Sequence, residues 1–154
     1  MDIVDSATRS RMMSGIRSIN TIPEKRIRSL LHGRGFRFRI HDKKLPGKPD
    51  IVLRKYHAVI FVNGCFWHGH YCSLFKLPAT RREFWQNKID KNRSNDKRSA
   101  IALQLAGWRI ATVWECSMKG PLRLDDICLA DRLYSWLHND NGNLEISEKK
   151  AGGK

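Results

Sequence analysis

Apolar positions along this chain recur at two spacings, and each change of spacing marks an element. Thr21-Ile22-Pro23-Glu24 has the form of a capping box with proline in the first turn. Ile27, Leu30 and Leu31 then share one helical face until Gly33 or Gly35 ends it. Residues 36–40 alternate as a strand does, and Leu45-Pro46-Gly47-Lys48-Pro49 makes a turn-rich connection. Asp50-Ile51-Val52-Leu53 follows as a short strand with an acid at its mouth, and beyond Tyr56-His57 residues 58–62 are continuously apolar. Such a run is the pattern of a strand covered on both faces.

Thr80-Arg81-Arg82-Glu83 repeats the capping-box spacing and predicts a helix reaching about Ala106, with Gly107 as its stop. Trp85, Ile89, Asn92, Asp96, Ala100 and Leu103 share one stripe of it. Residues 108–114 predict a strand closed by Glu115-Cys116, and residues 124–138 a last helix with Ile127, Ala130, Tyr134 and Leu137 inward and Cys128 half-buried. The alternation predicts an α/β fold, a mixed central sheet flanked by helices on both faces. One domain spans residues 21–138, between a basic arm at 1–20 and a flexible polar tail at 139–154.

Composition then restricts the partner. Twenty-nine Lys and Arg against fifteen Asp and Glu give a net charge of +14, a field suited to a polyanion and first of all to nucleic acid. The run at 58–62 is far too short to span a membrane, and the first residues lack a secretory pattern. A cytosolic location is expected, where the four cysteines stay reduced and serve as ligands or core residues.

The densest chemistry is Asn63-Gly64-Cys65-Phe66-Trp67-His68-Gly69-His70-Tyr71-Cys72, directly behind the apolar run. Cys65, His70 and Cys72 are ligands of the kind zinc prefers, and Cys116 ends another strand that can lie alongside. A closed Cys3His tetrahedron leaves no room for substrate, so that zinc would be structural; unliganded thiols are the plainer alternative. His68 is then free to act as a base, and Asp50 is a hard oxygen ligand suited to Mg2+. Together they suit phosphodiester hydrolysis. Glu24 is either a helix cap or a carboxylate reaching a site beneath its helix, and Asp96 is either a site residue or part of a frayed polar stretch. Phe66, Trp67 and Trp85 are either core or a rigid wedge for stacked bases, with Met13 on the arm a second probe.

These residues also carry a resemblance. Thr8-Arg9-Ser10 with Met13, Glu24-Lys25-Arg26, Leu45-Pro46-Gly47-Lys48-Pro49-Asp50, Gly64-Cys65-Phe66-Trp67-His68, Phe75-Lys76, Pro78-Ala79-Thr80-Arg81, Phe84-Trp85, Gly107-Trp108-Arg109 and Val113-Trp114-Glu115-Cys116 resemble the very-short-patch repair (Vsr) endonucleases, over residues 7–137. The resemblance implies a restriction-endonuclease-like core, with Pro49-Asp50 matching the front of the PD-(D/E)xK pattern, and nicking of double-stranded DNA 5′ of the thymine in a T·G mismatch. It implies Mg2+ on Asp50 and the main-chain carbonyl of Val62, His68 as base, and Glu24 and Asp96 supporting water and metal. It further implies Zn2+ on Cys65, His70, Cys72 and Cys116, with Phe66, Trp67 and Trp85 entering from the major groove and Met13 from the minor groove. A monomer in the bacterial cytosol or nucleoid with MutL-type mismatch-repair partners is expected on the same footing. Phe61 and Asn63 stand where a restriction enzyme carries an acid and a lysine. Asn63, at a position that can be histidine in the family, can donate to phosphate but cannot become cationic, which implies a slower reaction or an altered pH dependence. A zinc-stapled DNA-binding module without catalysis and a restriction enzyme cutting both strands of matched DNA are the competing readings.

Overall fold

The first helix, α1 (Ile22–Gly33), starts where its capping residues direct: the Thr21 hydroxyl accepts the Glu24 N–H at 3.3 Å. The computed structural model describes residues 21–149, so the basic arm and Met13 lie outside the described residues. The strands are β1 (Arg39–Ile40), β2 (Ile51–Leu53), β3 (Ala58–Asn63), β4 (Arg109–Trp114) and β5 (Leu144–Ile146). They form one sheet in that order, with β1 and β2 and then β2 and β3 paired antiparallel, and β3, β4 and β5 running parallel. Two further helices, α2 (Arg82–Leu105) and α3 (Asp126–Asn139), supply the crossovers a parallel arrangement requires.

Both faces of the sheet are covered. Ile51, Leu53, Ala58, Ile60, Ala111 and Val113 point to one side and pack on Ile27 and Leu31 of α1 and Leu129, Leu133 and Trp136 of α3. Val52, Val59 and Ile110 point to the other and meet Leu103 of α2. Residues of β2 and β3 therefore serve two cores alternately, which is why their sequences are apolar without a break. Complete burial of an Ile or Leu contributes roughly 1.5–3 kcal/mol.

Several expectations are corrected. The second capping box does not form: Arg81 takes a left-handed conformation with no side-chain cap, and α2 begins at Arg82. In α3 the buried stripe is Leu129, Ala130, Leu133, Trp136 and Leu137, whereas Ile127 is 70% and Tyr134 42% exposed. Two apolar stripes compete on that helix, and contact with α1 and the sheet selects the one rich in leucine and tryptophan. The strand expected over residues 36–40 shrinks to β1, because Phe36 turns into the core against Tyr56 and Tyr134. Part of the expected tail is ordered as β5, whose Ile146 is fully buried.

Candidate active site and metal centre

Asp50 stands at the mouth of β2, where the antiparallel pairing with β3 brings it to Val62. The Val62 N–H donates to Asp50 Oδ2 at 2.7 Å. Burial pushes the Asp50 carboxyl up to about 6; that hydrogen bond pulls against it, the nearby Glu24 charge adds to the rise, and His41 and His68 oppose it.

Glu24 is buried on α1. Its N–H belongs to the cap, while its carboxylate accepts from His41 Nε2 at 2.9 Å and from Arg28 Nη2 at 3.4 Å. Ligand atoms of Glu24, His41 and Asp50 all lie within 4.8 Å of one another, a group that can hold a metal ion. His41 was not legible as a site residue. It lies in a polar run, His41-Asp42-Lys43-Lys44, and only the pairing of β1 with β2 carries it to the acids.

The stripe drawn along α2 does turn Asp96 toward the loop. Asp96 Oδ2 lies 2.5 Å from His68 Nδ1, fixing the ring so that Nε2 is the nitrogen left for other chemistry. The His68 charge acts on Asp50, so the dyad and the carboxylate pair share one electrostatic environment. Asn63 ends β3 in register with Trp114 of β4.

Beside this site the parallel ends of β3 and β4 bring two cysteine-bearing segments together. Cys65, His70, Cys72 and Cys116 place their ligand atoms within 4.8 Å of one another, a set that can hold a metal ion. The Cys116 N–H donates to Cys65 Sγ at 3.4 Å, the Glu148 N–H to Cys116 Sγ at 3.3 Å, and His70 stacks flat on Trp114 with centroids 4.2 Å apart. Burial drives the Cys116 thiol up to about 11 and Cys65 higher still, and it lowers His70. Three sulfurs and one imidazole nitrogen form a soft to borderline donor set.

The aromatic residues interlock instead of standing apart. Phe66 meets Trp67 edge to face at 5.1 Å and Trp85 at 5.6 Å, and Trp67 lies 5.9 Å from Trp85. Trp67 is 9% exposed, while Phe66 and Trp85 are half-buried. The Asn92 amide donates to the Trp67 carbonyl at 2.8 Å and ties the loop to α2. Two exposed rings to which the sequence assigned no role flank the block, Phe84 under the Arg81 guanidinium and Tyr71 near that of Arg93.

A carboxylate group able to hold a cation, a histidine oriented by another carboxylate and a strongly basic chain are what phosphodiester hydrolysis can use. The family model described as DNA mismatch endonuclease Vsr matches residues 1–74. The chain is 48% identical over 145 residues to the DNA mismatch endonuclease Vsr of Escherichia coli K12, covering 94% of this chain and 93% of that one. It is 50% identical over 117 residues to the type II nicking enzyme V.XorIIP of Xanthomonas oryzae pv. oryzae, covering 76% and 86%. With V.NmeAIP, a type II nicking enzyme of Neisseria meningitidis, it shares 43% identity over 118 residues, covering 77% and 84%. The chain belongs to the Vsr DNA mismatch endonuclease family.

Proposed function

We propose that this protein is a Mg2+-dependent endonuclease that nicks one strand of double-stranded DNA 5′ of the thymine in a T·G mismatch. The observation that carries this reading is the Glu24, His41 and Asp50 cluster lying in the same electrostatic environment as the His68–Asp96 pair. The names of the relatives, a DNA mismatch endonuclease and nicking enzymes, supply the substrate class and the single-strand outcome.

Asp50, Glu24 and the Val62 carbonyl would hold the cation. In an extended strand the N–H and C=O of one residue face the same neighbour, so the Val62 N–H bond to Asp50 puts its carbonyl on the same side. When bound, Mg2+ offsets charge on the phosphate and on the leaving oxygen. His68 Nε2 takes the proton of the attacking water, and Asp96 keeps the ring in the required tautomer and stabilises the imidazolium that results. Asn63 donates to a phosphate oxygen. Asp50 must be ionised to hold a cation, so at limiting Mg2+ the affinity for the cation falls as pH drops through about 6.

The Cys65, His70, Cys72 and Cys116 set holds structural Zn2+ in this reading, since its donors are those of closed zinc sites. Phe66, Trp67 and Trp85 enter the duplex as one interlocked block beside the mismatch, and Met13 enters from the opposite groove. The fold is read as a restriction-endonuclease-like core, because Pro49-Asp50 opens β2 and β3 carries the positions of the missing acid and lysine, Phe61 and Asn63. The enzyme acts as a monomer in the bacterial cytosol or nucleoid, with MutL-type repair proteins as partners. Among the described residues, no helix is long and apolar enough to cross a membrane.

The test is a nicking assay with Mg2+ on duplexes carrying T·G, other mismatches or only matched pairs. A nick confined to the thymine strand of T·G duplexes is expected, with at least a 10²-fold rate loss for His68→Ala. Binding without cleavage would instead identify a zinc-stapled binding module, and cutting of both strands in matched DNA a restriction enzyme. His68→Ala nicking at the wild-type rate would remove His68 as the base.

A further inference from the structure

Three side chains meet at the mouth of β2, and the reading above uses two of them as cation holders. We infer that the third, His41, is a positioning residue: its imidazole holds the Glu24 carboxylate toward Asp50 so that both acids can share one divalent cation. The inference rests on the proposed role of Glu24 and Asp50.

Geometry is its basis. His41 Nε2 lies 2.9 Å from Glu24 Oε2, and the two side chains are only 14% and 6% exposed. The His41 N–H donates to the Asp50 carbonyl at 3.1 Å, so the backbone pairing that extends β1 against β2 delivers this ring to the acids. His41 adopts a left-handed backbone with φ of +50°, a conformation that non-glycine residues keep only when their surroundings hold them there.

Arg28 also donates to Glu24 Oε2, at the longer 3.4 Å, from one turn further along the same helix. That bond holds the carboxylate within α1, whereas His41 reaches it from the strand side and links it to the Asp50 segment. Two carboxylates meeting at one point need a donor to hold them in place, and the His41 ring supplies one 2.9 Å from Glu24 Oε2. Mg2+ takes oxygen ligands and accepts nitrogen poorly, so His41 acts on that cation through Glu24 and not as a ligand.

Three variants separate these roles. His41→Gly deletes the ring and relieves the left-handed backbone, so it leaves the fold intact; His41→Gln keeps an N–H donor at similar reach; Asp50→Asn removes the central ligand. Mn2+ alone is titrated into the DNA-free protein and free Mn2+ is read by electron paramagnetic resonance, with Mg2+ then added as competitor. His41→Gly is expected to weaken both cations by roughly 10-fold, the usual effect of losing a group that orients a ligand. His41→Gln is expected to restore most of the loss, and thermal melts followed by circular dichroism to remain close to wild type. Unchanged affinity in His41→Gly, where Asp50→Asn is impaired, would overturn the His41 role alone. So would a Mn2+ loss far larger than the Mg2+ loss without rescue by glutamine, which would make His41 a ligand. If wild type binds neither cation, or Asp50→Asn binds as well as wild type, the cation reading falls and the His41 role with it.

Discussion

At the scale of the residue, the role proposed for Asp50 sets function against stability. Its carboxyl is raised from 3.8 to about 6, mainly by burial, so the folded state favours the protonated form. The associated stability is complete below 3.8 and is lost as pH rises through about 6. At pH 8 the ionised group therefore costs the metal-free fold about 3 kcal/mol. Asp50→Asn, which keeps an oxygen for the Val62 N–H, should raise metal-free stability at pH 8 by roughly 1–3 kcal/mol in urea unfolding while abolishing cleavage. It should also flatten the melting temperature between pH 4 and 7; a less stable Asp50→Asn at pH 8 would refute this account. Asp50 alone before a strand is a weak signal, and it becomes a candidate only through its convergence with His68 on one sheet edge in a chain of net charge +14. His41 was not legible, because its meaning comes from the register of β1 on β2 and from a backbone angle that its polar neighbours do not signal.

Among the elements, the loop after β3 depends on one glycine. Gly69 has a φ of +63°, and a Cβ there would lie 2.6 Å from Ile89 Cγ2 and 2.8 Å from Arg93 Cδ on α2. Ile89 is buried and cannot move aside freely, so Gly69→Ala should cost about 1–3 kcal/mol in urea unfolding. Because Gly69 separates His68 from His70, the same variant should lower the single-turnover nicking rate. Gly142→Ala, whose Cβ would meet nothing within 4 Å, is the control and should stay within about 0.5 kcal/mol of wild type. The stripe along α2 could be read from sequence because Ile89 and Leu103 fix its phase, and Asp96 falls between them. On α3 half of the expected stripe, Ala130 and Leu137, is buried, and contact with α1 and the sheet turned Ile127 and Tyr134 outward. The short β5 was hidden in a polar segment, since Leu144 and Ile146 gain meaning only once β4 offers an open edge.

Over the whole molecule, charge and the cysteine cluster set the operating conditions. With a net charge of +14, duplex binding should fall steeply with salt, by roughly 10³-fold or more between about 50 and 200 mM if six or more phosphates are contacted. Fluorescence anisotropy over that range checks it, and a flat response would show that the basic surface faces away from DNA. The cysteine set makes a second demand. Thiols as protonated as Cys65 and Cys116 must lose their protons to bind a metal, so Zn2+ loading at pH 7 should acidify a weakly buffered solution and tighten as pH rises. Removing the metal with a chelator should lower the melting temperature; zinc uptake without proton release would place the ion elsewhere. The segments that clasp this cluster come from far apart in the chain: the Cys65 and Cys116 partners are 51 residues apart, and Cys116 and Glu148 are 32 apart. Long loops must close before such contacts form, and closure of this kind is slow. A growing chain that has reached Trp85 already carries His68 and the aromatic block, but the framework that orients them exists only after β4 and β5 have docked. Assembly of the proposed site thus waits until β5 has been made, and a chain interrupted earlier presents these residues without the scaffold that orients them.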